Sequence, residues 1–133
     1  MNVFDILGPV MIGPSSSHTA GAARIGRITL ALLGAPAVKA DIFLHGSFAK
    51  TYKGHGTDKA LIAGIMGMST DDSRIRRAPE LAREQGLAVT ITTGDIDGAH
   101  PNTARVALTD ADGNRVSLLG SSIGGGNILV TEV

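Results

Sequence analysis

Three histidines stand in short runs of glycine, hydroxyl and amide residues: His18 in GPSSSHTAG, His55 in YKGHGTD and His100 in HPNT. An imidazole with its ordinary pKa of about 6.5 exchanges protons near neutral pH, and small neighbours leave room for a compact polar substrate. An isolated loop histidine is more often a solvated or structural residue than a catalytic one, so the chemistry rests on the set. Ser15, Ser16, Ser17 and Thr19 fall where a helix should begin, and free backbone N–H groups with the positive dipole end favour an anion such as a carboxylate. Plain capping by one serine is the competing reading, and it leaves the other hydroxyls without a task. Gly54 and Gly56 bare the imidazole of His55, while Lys53 or Asp58 could tune it. Asp58 reads first as a helix cap. Pro101 keeps its segment extended, so that His100 and Asn102 project from a stiff edge. SIGGGN, residues 122–127, offers glycine amides to a ligand, or simply a bulge between strands. His45 ends a strand and reads as satisfied locally.

Periodicity supplies the elements that must hold these loops. Ile25, Ile28 and Leu32 recur at helical spacing over about Thr19 to Leu33, with Arg24 and Arg27 on another face and Gly34 as a stop. Ala40, Ile42 and Leu44 alternate over 38–45, as in a half-buried strand. Thr57 or Asp58 caps a predicted helix over about 58–68, striped by Leu61, Ile62, Ile65 and Met66. Asp71, Asp72 and Ser73 form a turn, and Pro79 suits the first turn of a short helix running to Gln85 and stopped by Gly86. Leu87, Val89 and Ile91 alternate as a strand. From Asn102 two β runs flank Asp110-Ala111-Asp112-Gly113-Asn114, where Gly and Asn tolerate positive φ, and a last strand covers 127–133. This order predicts an α+β fold, a two-layer sandwich of helices on a largely antiparallel sheet.

Composition narrows the partners. The 133 residues suit one compact domain, and 43% hydrophobic with 18% charged residues is ordinary globular balance. Lys plus Arg and Asp plus Glu both total 12, which gives no long-range field for nucleic acid or an anionic membrane. One Tyr, three Phe and no Trp leave almost no stacking platform. With no Cys the chain makes no disulfide and lends no thiolate to a cluster or zinc site. The start lacks the pattern of a signal peptide and no run approaches a membrane span, so a cytoplasmic protein is the expectation. No HxH, HExxH or acidic loop spacing builds a metal site from this chain alone. Ser17-His18 adjacency without a GxSxG elbow is a poor basis for a hydrolase.

Taken together, FDILGPVMIGPSSSHTAGAARIG, HGSFAKTYKGHGTDKALIAGI, HPNTARV and SIGGGNI resemble the β chain of the two-chain bacterial iron-sulfur L-serine dehydratases, in the same order and over nearly the whole length. The resemblance implies deamination of L-serine to pyruvate and ammonia without pyridoxal phosphate. It also implies a four-iron four-sulfur cluster (4Fe-4S) ligated by cysteines of a partner α chain, whose open iron acts as a Lewis acid. It carries proton transfer to His18 and His55, with His100 and Asn102 as a further polar pair, and the substrate carboxylate to Ser16, Ser17 and Thr19. Ser15, Lys53, Thr57, Asp58 and Asn127 complete the expected substrate-binding set, and His100 joins the catalytic one. The fold implied is that of the allosteric substrate-binding domain. Expected partners are the α chain, L-serine and, as a further candidate, a second copy, with no nucleic acid or membrane. Relatives usually continue into an ACT-type domain, whereas 1–133 is expected to be the β domain alone. The competing function is a regulatory module that binds serine or another small anion without catalytic groups. A purely structural interface domain is the third.

Overall fold

The computed structural model describes residues 17–46, 48–50, 56–69, 72–124 and 127–132, with 17–19, 123, 124, 127, 129, 131 and 132 described by backbone alone. Helix α1 is Ser17–Leu33 and strand β1 is Ala37–Gly46; helix α2, Thr57–Ile65, a 3₁₀ turn, Ser73–Arg77, and helix α3, Ala78–Glu84, follow. Strands β2 (Ala88–Gly94), β3 (Asn102–Asp110), β4 (Arg115–Gly124) and β5 (Asn127–Glu132) complete the order. The sheet runs β2-β1-β3-β4-β5. Only β1 with β2 is parallel, and the connection through helices α2 and α3 supplies the crossover that a parallel pair needs. The other three pairings are antiparallel. The fold is therefore a two-layer α+β sandwich on a largely antiparallel sheet.

The alternation read in β1 sets the core. Ala40, Ile42 and Leu44 pair with Val89, Ile91 and Thr93 on one side, and with Leu108, Val106 and Ala104 on the other. Leu118 of β4 and Ile128 of β5 join them beneath the helices. Helix α1 packs on α2, β3, β4 and β5, and glycines set how closely. A Cβ on Gly26 would lie 2.5 Å from the carbonyl oxygen of Leu61, and one on Gly64 would run into the carbonyl of Ala23. Backbones thus touch where α1 crosses α2, at a separation that larger residues forbid.

Several expectations change. Arg24, on a face apart from the apolar repeat, is nonetheless buried, and Leu32 of that repeat is 46% exposed. The cause is that α1 makes its close approaches in its first ten residues, at Gly21, Ile25 and Gly26. There even the Arg24 position is enclosed, whereas the last turn is not. Neither Thr57 nor Asp58 caps α2: Gly56, at φ 76, is the N-cap, with no side-chain hydrogen bond. The helix begins one residue early, which puts both side chains inside the first turn, beyond the geometry by which a cap oxygen reaches back to N2 or N3. The predicted turn at 71–73 instead opens the 3₁₀ segment, whose Asp72 cap accepts from Arg74 N–H at 2.8 Å; Asp71 lies outside the described residues.

In the β3–β4 turn only Gly113 takes positive φ, at 88°. Asn114 serves by donating Nδ2–H to Asp110 Oδ2 at 3.0 Å, while Asp112 N and Asn114 N donate to Oδ1 at 3.0 and 2.9 Å. No described helix is long and apolar enough to cross a membrane.

Candidate active site at one end of the sheet

Connectivity brings the polar segments to a single end. Gly34, at φ 73, turns the chain sharply from α1 into β1, so α1 starts above the end at which β1 finishes. The parallel β1–β2 pair requires α2 to start at that same end. Antiparallel β3 begins there, with Asn102 opposite Gly46, and β4 finishes there, with Ser121 opposite Thr103. Gly124 pairs with Asn127 to open β5, and the register slips between Ser122 and Gly124, the bulge expected of this glycine run.

Close contacts join the segments. A Cβ on Gly21 would occupy the place of Ser122 Oγ, so α1 at Gly21 lies directly on Ser122 of β4. A Cβ on Gly46 would meet the carbonyl of Pro101, which packs the HPNT backbone against the end of β1. Alternation puts Asn102 and Ser122 on the helix-covered side, in step with Ala104 and Gly120, while His45, Thr103 and Ser121 form a row on the other side.

Hydrogen bonds fix the His100 turn. Thr103 Oγ1 donates to the carbonyl of His100 at 2.6 Å, which commits its single proton. Ser121 Oγ, at 2.7 Å, must therefore donate to Thr103, and the two hydroxyls form a polarised relay. His100 Nδ1 accepts from Asn102 N–H at 3.0 Å, so the neutral ring carries its proton at Nε2. The His100 side chain is exposed. As it stands, His100 offers a donor to a ligand rather than a second acceptor.

Two oxygens near this end, Asn102 Oδ1 and Thr57 Oγ1, are buried without a hydrogen bond, as is Asp58 Oδ1. A buried polar group without a partner costs about 1–3 kcal/mol, which well-packed cores do not tolerate without reason. Asp58 lines a cleft of about 360 Å³ that also touches Ile62, Arg83, Leu87 and Ile91.

Ser15, Ser16, Lys53 and His55 lie outside the described residues. Ser17, His18 and Thr19 are the first residues of α1 and Asn127 is the first of β5, all with side chains outside the description. Thr103 and Ser122 stand within the HPNT and SIGGGN motifs without a role of their own in the sequence, and Ser121 lies outside both. Strand alternation counted back from Ala104 would have marked Thr103, but nothing local signals its pairing with Ser121. No three His, Asp or Glu side chains gather for a metal ion among the described residues.

The chain is thus a two-layer α+β domain whose described histidine-, serine- and glycine-bearing stretches lie toward one end of the sheet. The chain belongs to the serine dehydratase beta chain family, whose model matches residues 2–97. It is 50% identical over 132 residues to the probable L-serine dehydratase, beta chain, of Bacillus subtilis (strain 168), covering 99% of this chain and 60% of that protein. It is 42% identical to the L-serine dehydratase, beta chain, of Peptoniphilus asaccharolyticus, with the same two coverages. A 31% match spans 99% of this chain and 33% of the L-serine dehydratase of Mycobacterium tuberculosis (strain CDC 1551 / Oshkosh). The chain thus spans about 60% of the beta chains it matches.

Proposed function

We propose that this chain is the substrate-positioning and proton-transfer portion of an iron-sulfur L-serine dehydratase (L-serine ammonia-lyase), acting in the cytoplasm with a cluster-bearing α chain. What supports the reading is that, in a family member, Gly21 of α1 packs on Ser122 and Pro101 packs on Gly46, so described parts of three separate motif segments approach one sheet end. The same end receives α2, whose first residue follows His55 and Gly56.

In this reading L-serine loses its α-proton and β-hydroxyl, and the resulting aminoacrylate hydrolyses to pyruvate and ammonia. The 4Fe-4S cluster belongs to the α chain. This chain's own residues do not fit the role of cluster ligand, because it has no Cys and no metal-holding trio among the described residues. Its contribution is to hold the substrate and move protons. Ser17 and Thr19, in the first turn of α1, suit the carboxylate, and Ser15 and Ser16 precede them in the sequence. Asn102 Oδ1, an acceptor without a hydrogen bond, suits the ammonium group. His100 donates from Nε2. His18 and His55 are left as the bases for the α-proton, with Lys53, Thr57, Asp58 and Asn127 completing the surroundings.

The test is anaerobic reconstitution with the cognate α chain and measurement of pyruvate from L-serine. His18→Ala and His55→Ala should each lower turnover about a hundredfold or more, the usual scale of general base catalysis, with circular dichroism unchanged. Full turnover by both variants would remove these histidines from the chemistry. Full activity of the α chain alone, with calorimetric serine binding to this chain, would replace the proposal with a regulatory module.

A further inference from the structure

We propose that His45 is a positioning residue for this site, acting through the segment 95–101 that carries His100; the inference rests on the serine dehydratase reading above. His45 Nδ1 accepts a hydrogen bond from Ile96 N–H at 2.8 Å, across 51 positions of sequence. The expectation that His45 is satisfied locally is thereby corrected: β1 places its ring beside the chain leaving β2, whose pairing ends at Gly94 opposite His45. Ile96 in turn accepts from Ala99 N–H at 3.1 Å, which closes the turn leading to His100. The far end of the segment rests on the next residue of β1, since Pro101 packs on Gly46, held at φ 63.

Two successive residues of one strand therefore hold both ends of a seven-residue segment. His100 is exposed, so its direction follows from the backbone beneath it. The relay from Ser121 through Thr103 fixes its carbonyl, and the bond to His45 fixes the turn before it. With Nδ1 accepting, the neutral His45 ring is protonated at Nε2, so one tautomer is selected.

The test compares His45→Phe, which keeps a ring without an acceptor, with His45→Asn, whose Oδ1 falls near the place of Nδ1. In the assembled enzyme His45→Phe should raise KM for L-serine roughly tenfold, the scale of one lost hydrogen bond, with kcat within about twofold. His45→Asn should restore KM to within about twofold of wild type. In nuclear magnetic resonance of the full chain, His45→Phe should speed exchange of the Ile96 amide and shift the His100 ring signal, and His45→Asn should do neither. Equal KM changes in both variants, or an unchanged KM beside fast Ile96 exchange, would overturn the proposal. Should the wild-type assembly make no pyruvate, the serine dehydratase reading fails by itself. The resonance arm then decides alone: a His100 shift in His45→Phe but not in His45→Asn supports positioning, and no shift overturns it.

Discussion

Under the proposed function, single side chains at this sheet end trade stability for chemistry. Asn102 Oδ1 is buried without a hydrogen bond, so Asn102→Ala removes an unsatisfied group instead of a contact. Its urea midpoint should stay equivalent to wild type within about 0.5 kcal/mol, or rise, while serine turnover of the assembled enzyme falls at least about tenfold. A variant that loses both alike would make Asn102 structural. Asp110 is the opposite case. The Asn114 side chain, aided by backbone N–H groups of the turn, holds its carboxyl below the usual range. Asp72 is held down to about 2, chiefly by the side chain of Arg74, which donates Nη2–H to it at 2.7 Å. A carboxylate whose folded pKa is lowered adds stability above its unfolded value of about 3.9, and that stability disappears as pH falls toward the folded one. Urea midpoints should therefore decline between about pH 5 and pH 2, and less steeply in Asp110→Asn. An identical slope in that variant would remove Asp110 as a source. The Asp72 pair is exposed at its arginine, so screening leaves it a minor contributor.

Elements were legible where one face alone meets the core. Alternating Ala40, Ile42 and Leu44 marked β1, and the Asp110–Asn114 turn marked the β3–β4 hairpin, because both patterns are local. Helix α1 was legible as a helix, but the extent of its buried face was not, because its tight contacts are made by small residues, which carry no apolar stripe. Gly26 and Gly64 fill no turn, but let α1 and α2 touch backbone to backbone. Gly26→Ala and Gly64→Ala should each destabilise by about 1–3 kcal/mol through overpacking, measured by urea unfolding. Gly86→Ala, with open space around it but φ 80, should cost about 1 kcal/mol from backbone strain alone. Equal losses at all three sites would mean that the helix crossing is looser than described. The parallel β1–β2 pair was equally hidden, since period-two alternation does not record strand direction.

At the scale of the molecule, sequence blocks far apart become neighbours because alternate connections return to one end: α1 starts there, β1 stops there, and β3 and β5 start there. The motifs announced histidines and hydroxyls, but their grouping depends on strand order, which no local pattern carries. What did not show in the residues is the contact set, such as Gly21 on Ser122 and His45 on Ile96. The most direct measurement is kcat/KM for pyruvate formation from L-serine by the assembled enzyme carrying Gly21→Ala, set beside Lys39→Ala at the exposed start of β1. A methyl at Gly21 displaces Ser122 and pushes two site segments apart, so kcat/KM should fall at least about tenfold, while Lys39→Ala matches wild type. Gly21→Ala with wild-type kcat/KM and an intact fold would contradict the convergent site.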